Sequence, residues 1–105
     1  MSEDRARRLD VARELVIYAC RGRSTKRVGS PGLPAISVKV YAVEAQLGLV
    51  ERHDTVDLRW EGWEGSTVRG VTRVEIREIE DIHAAGDDLG RALFAKIEAH
   101  LRKPR

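Results

Sequence analysis

The sequence predicts an α+β fold: one domain of order α-β-β-β-α, with an antiparallel sheet of three to four strands carrying two helices packed on one face. Three observations point there. Apolar residues recur every three to four positions at both ends of the chain, they alternate with polar residues through the middle, and glycine-containing breaks separate the alternating runs. The 105 residues are the size of a single domain, 1–105, and their 42% apolar content suffices for a core without disulfides. With 34% charged and only 5% aromatic residues, that core is lean and aliphatic under a strongly polar surface.

The first element is a helix. In EDRARRLDVARELVIYAC, Leu9, Ala12, Val16 and Ala19 fall three to four apart, and Arg7, Arg8, Arg13 and Glu14 take other parts of the wheel. Ser2 is the expected N-terminal cap, Glu3 and Asp4 suit the positive end of the helix dipole, and Gly22 is the expected stop. From Ala35 the period becomes two: Ile36, Val38, Val40 and Ala42 share one face, and Ser37, Lys39, Tyr41 and Val43 the other. After an irregular patch with Gly48, residues 55–60 alternate again, with Val56, Leu58 and Trp60 facing in. Gly62 and Gly65 suit a turn, and Thr67 to Ile76 forms a third strand with Gly70, Thr72, Val74 and Ile76 on its inner side. Past Ile76 the alternation fails, since Ile79 and Ile82 shift to a spacing of three, which predicts a bulge or a helical turn. The last segment repeats Leu89, Leu93, Ile97 and Leu101 every four residues, a helix with Asp87 as its expected cap.

Between the first helix and the first strand lies RGRSTKRVGSPGLP, residues 21–34, which reads as a basic Gly/Pro/Ser loop. Arg21, Arg23, Lys26 and Arg27 on such a loop can contact phosphate without reading sequence, meet an acidic protein surface, or stay solvated. The loop lacks the aromatic residues that stack on single strands. Charge is also uneven along the chain: eight Lys/Arg against four acids in residues 1–34, six against ten in 35–83, and five against three in 84–105. Basic ends and an acidic middle can attract a polyanion or let copies of one chain meet head to tail.

Catalytic and metal chemistry find no motif. His53, His83 and His100 are scattered, Cys20 stands alone, and neither a nucleophile elbow nor a phosphate-binding glycine loop occurs. The sequence therefore predicts a protein that is not an enzyme and uses no cofactor. No apolar run approaches a membrane span, and the charged start MSEDRARRLD does not resemble a signal peptide, so a cytoplasmic protein, or one assembled there, is expected. Trp60 continues an inward face and reads as core, whereas Trp63, with Tyr41 and Val43 on the outer side of the first strand, is a candidate subunit contact. The acidic group Glu78, Glu80 and Asp81 is a further candidate for an interface. The α-β-β-β-α order is also the layout of double-stranded-RNA-binding domains, but where those carry lysines the last helix here begins GDDLG, which repels phosphate.

One longer pattern carries a resemblance. GLPAISVKVYAVEAQ, then RHDTVDLRWEGW, then DDLGRALFAKIEAHL resembles the tail-terminator (tail-completion) proteins of long-tailed phages and related particles. Those proteins have an N-terminal helix, a basic loop, a Leu-Pro lead into the first strand, an Arg/His-rich lead into a strand ending in a polar-aromatic turn, and a final helix of this type. The stretch from Ser66 to His83 departs from the pattern by its length. The resemblance implies a homo-oligomeric ring, commonly hexameric, that caps the tail tube and joins it to head-neck proteins in a virion or phage-like particle. It would place Arg21, Arg23, Lys26 and Arg27 toward the next ring or toward DNA, contacted without sequence specificity. Two alternatives stand beside it: a small nucleic-acid-binding or regulatory protein using the same basic residues, and a small immunity or inhibitor protein using the acidic group.

Overall fold

A computed structural model describes residues 3–21, 26–28, 36–63 and 67–101. The elements run α1 (Glu3–Cys20), β1 (Lys26–Val28), β2 (Ile36–Gln46), a short 3-10 turn (Glu51–His53), β3 (Thr55–Trp63), β4 (Thr67–Glu75), α2 (Ile76–Ala84) and α3 (Leu89–Leu101). The four strands form one antiparallel sheet in the order β1-β2-β3-β4, each paired with its sequence neighbour. The α+β class and the meander expected from the sequence are thus present. The expected caps Ser2 and Gly22 and residues 64–66, which hold Gly65 of the expected turn between β3 and β4, lie outside the described residues.

A single core joins the helices to one side of the sheet. Leu9, Ala12, Val16 and Cys20 of α1 meet Val38, Val56, Leu58, Trp60 and Val74 of the strands, Ile76 and Ile79 of α2, and Leu89, Leu93, Phe94 and Ile97 of α3. Each fully buried aliphatic side chain of this set contributes on the order of 1.5–3 kcal/mol of transfer free energy. The inward row of β3 is the one read from alternation, and Trp60 is core as expected, at 1% exposure. Its indole Nε1 donates to Thr72 Oγ1 at 2.9 Å, so the one polar atom of the ring keeps a partner after burial. Gly70 is what lets that ring lie flat on β4, since a Cβ there would sit 2.3 Å from the ring.

Four details correct the sequence reading. A short edge strand, β1, stands inside the segment expected to be loop, paired Lys26 to Val38 and Val28 to Ile36. In β2 the register slips at Tyr41, so that Val40 faces Trp60 while Ala42 faces Arg59 and Val43 faces Leu58. This bulge reverses every later side chain, and Val43 packs against the core instead of lining the outer face. The failure of alternation past Ile76 is a full nine-residue helix, α2, making three helices in all among the described residues. Its Ile76 and Ile79 are buried and Ile82 packs beside them, which is why the apolar spacing turned to three. Finally, α3 is capped by Asp88 and not by Asp87, the Asp88 Oδ1 accepting the Arg91 amide at 3.1 Å. Asp87 instead belongs to the end of α2, where its amide donates to Ile82 O at 3.2 Å and the Gly86 amide to His83 O at 3.1 Å. Gly86 has φ +76°, the left-handed conformation this helix ending needs.

Candidate functional site

The β2–β3 connection is held by one carboxylate. Asp54, at 4% exposure, receives Arg5 Nε at 2.9 Å, Arg5 Nη2 at 2.6 Å and the Gly48 amide at 2.9 Å. Arg5 Nη2 also donates to Gly48 O at 2.8 Å, and the Ile76 amide donates to Asp54 O at 2.9 Å. The hydrogen bond from Arg5 is the main cause that holds the Asp54 carboxyl below its ordinary range, against the opposing effect of burial. Gly48 is required where it stands, because a Cβ would lie 2.7 Å from His53 O. The outcome is a closed connection tied to the start of α1, and it presents three aliphatic side chains to solvent: Leu47, Leu49 and Val50, of which Leu49 is fully exposed.

A second apolar surface lies along α1. Opposite its buried row, Val11 and Tyr18 stand exposed at helical spacing, and with Asp10, Glu14 and the partly buried Leu15 they form a nearly flat surface. Tyr18 is 76% exposed. From Leu15 and Tyr18 the surface continues past Ala19 to Leu89 at the start of α3.

The outer face of the sheet carries a ladder of charge pairs with no layer over it among the described residues. Arg59 meets Glu44 at 3.1 Å, Arg73 meets Asp57 at 2.8 Å and Arg69 meets Glu61 at 3.9 Å, each from adjacent strands. Trp63 ends β3 on the same face as Asp57, opposite Ser37 and Thr67, and is 40% exposed. Tyr41, at the bulge, is half exposed.

The three acidic interface candidates share one helix. They stand on α2, where Glu78 pairs with Lys96 of α3 at 2.7 Å and Glu80 takes both Arg8 Nη2 at 2.6 Å and Arg8 Nε at 3.1 Å. The Arg8 hydrogen bond lowers the Glu80 pKa from its ordinary value. Asp81 is exposed. These two pairs hold α2 against its neighbours, so Glu78 and Glu80 serve the fold. Of the basic candidates, Arg21 is exposed at the end of α1, Lys26 and Arg27 stand in β1, and Arg23 lies outside the described residues. Among the described residues the named candidates are thus spread over the end of α1, β1, β2, β3 and α2.

Among the described residues no three His, Cys, Asp or Glu side chains come together as a metal site, and no helix is long and apolar enough to cross a membrane. His53 lies 3.8 Å from Glu75, and His100 stands edge-on to Trp60 with ring centroids 5.7 Å apart. Both apolar surfaces escaped the sequence reading. The signal for the first was Leu-Gly-Leu-Val in a patch with neither period, and for the second a set of α1 positions, Val11, Leu15 and Tyr18, in excess of one helix face. Comparison with protein-family models, curated proteins and solved structures finds no match to this chain.

Proposed function

We propose that the protein is a structural assembly protein of the tail-terminator type: it forms a homo-oligomeric ring that caps a tail tube and meets head-neck proteins. The observation that carries the assembly reading is the set of exposed large apolar side chains: Leu47, Leu49 and Val50 on the β2–β3 connection, Val11 and Tyr18 on α1, and Tyr41, Trp63 and Val71 on the sheet. Monomeric soluble proteins seldom leave such surfaces uncovered without use. A sheet with an open outer face and an unpaired β4 edge among the described residues adds further area for neighbours. The particular kind of assembly rests on the resemblance of residues 32–46, 52–63 and 87–101 to tail terminators. In this reading Arg21, Arg23, Lys26 and Arg27 face the next ring or the passing DNA.

The immunity or inhibitor alternative loses support, because Glu78 and Glu80 are already paired within the chain. The nucleic-acid alternative is separated by experiment. Sedimentation of the purified protein, alone and with tail tubes, is expected to give a discrete ring or a monomer that forms rings on tubes, unchanged in size when Arg21, Arg23, Lys26 and Arg27 become Glu. A monomer that ignores tubes and binds DNA with a steep salt dependence lost in that variant overturns the proposal.

A further inference from the structure

The two edges of the sheet are finished differently. β1 is a three-residue edge, Lys-Arg-Val, short and charged in the way that discourages another strand from adding to it. β4 is a nine-residue edge, TVRGVTRVE, with no proline and no lysine, and its valines and threonines favour extended chain. Among the described residues it pairs on one side only, with β3 from Thr67 to Glu75, and no hydrogen bond reaches the amides and carbonyls on its other side. An edge left in this state is a template for one more strand. Its side chains alternate: Val68, Gly70, Thr72 and Val74 turn toward the helices, and Thr67, Arg69, Val71, Arg73 and Glu75 are exposed on the outer face.

The charges of that exposed row select the strand that fits. Antiparallel pairing of β4 with β4 of a second copy, about a two-fold axis at Thr72, sets Arg69 opposite Glu75 in both halves of the contact and Val71 opposite Arg73, with each exposed Val71 diagonal to the other. Centring the axis on Val71 or on Arg73 sets arginine against arginine. β1 as the partner would bring two more cations and only three residues. Arg69 is 71% exposed and 3.9 Å from Glu61, and Glu75 is 56% exposed and 3.8 Å from His53; neither contact is a hydrogen bond, so both side chains can turn to a new partner. We infer that two copies of this chain join through β4, edge to edge and antiparallel about a two-fold axis at Thr72, so that two four-stranded sheets become one. The backbone of residues 69–75 supplies the affinity, and the two Arg69–Glu75 pairs supply the register. The contact goes beyond the tail-terminator reading and does not rest on it; a closed ring built from such dimers holds an even number of copies.

The test uses the full chain, with molar mass measured by sedimentation equilibrium over a range of concentrations and amide hydrogen exchange followed at the same concentrations. Wild type is expected to pass from monomer to dimer as concentration rises, with exchange slowing in β4 and unchanged in β1. Arg69→Glu sets acid against acid at both ends of the contact and Glu75→Arg sets base against base, so each alone is expected to weaken dimerisation about tenfold or more. Mixing the two variants is expected to restore it as a one-to-one heterodimer, because every facing pair is then opposite in sign. Arg69→Glu/Glu75→Arg in one chain is expected to dimerise by itself. Both positions are exposed, and recovery on mixing excludes misfolding as the cause of the loss. A wild type that is monomeric at every concentration, a dimer whose β4 amides exchange as in the monomer, or variants that do not recover when mixed overturn this contact. A wild type that dimerises through β4 but forms no ring with tail tubes overturns the ring reading and supports this contact, and rings on tubes without β4 protection do the reverse.

Discussion

Gly70 and Trp60 set the tightest steric limit described in this molecule. A methyl group at residue 70 would enter the indole ring, so Gly70→Ala forces the ring off its place between Thr72 and His100. The expected cost is about 1–3 kcal/mol, typical of an overfilled core, read as a fall in melting temperature of roughly 5–15 °C in thermal unfolding. Asp54 makes the comparable limit in electrostatics. Its folded pKa is depressed, chiefly by Arg5, so the stability it contributes is present above its unfolded pKa and is lost as pH falls through the lower folded value. Glu80, depressed by Arg8, acts in the same direction. Melting temperature is therefore expected to fall on acidification below about pH 4. Asp54→Asn is expected to be less stable at neutral pH and to show a flatter acid limb; an unchanged limb would remove Asp54 from the acid response.

At the level of elements, the bulge at Tyr41 decides which side of β2 is which. Strict alternation puts Ala42 inward and Val43 outward, and the structure has them the other way. Val43→Asp is accordingly expected to destabilise the protein by several kcal/mol, as an unpaired charge pressed against apolar neighbours does, while Ala42→Asp stays within about 1 kcal/mol of wild type. Chemical denaturation of the two variants checks this, and the reverse order would refute the register. The rows of β3 and β4 were legible in the sequence because both strands are regular and half buried, as Val56, Leu58 and Trp60 and then Thr72 and Val74 show. The bulge was not, because an extra residue leaves no mark of its own in a run as apolar as Val40-Tyr41-Ala42-Val43. Nor was β1, whose Lys-Arg-Val is too short and too charged to carry a period. The helix α2 gave half a signal: Ile76, Ile79 and Ile82 announced a change of spacing, but the stop of β4 is set by the Ile76 amide bonding to Asp54 O, a contact twenty-two residues away in the chain. Trp60 was readable as a core residue, whereas its dependence on Gly70 appears only once the strands are paired.

For the whole molecule, burial on one side of the sheet and charge pairing on the other divide the chain into a packed half and a wetted half. That division puts two tryptophans three residues apart into opposite surroundings, Trp60 sealed beside His100 and Trp63 open at the end of β3. The candidate surfaces are legible from the sequence only in part, since exposure of Leu49 or Tyr18 is a property of how the connection and α1 are held, not of their composition. The pair of indoles consequently gives the protein two optical channels. Trp63→Phe is expected to leave a blue-shifted emission that a soluble quencher scarcely reaches and that moves only on unfolding. In wild type the quenchable share of the light comes from Trp63, so any partner that covers the outer sheet face shields that share alone, whereas docking confined to α1 leaves it untouched.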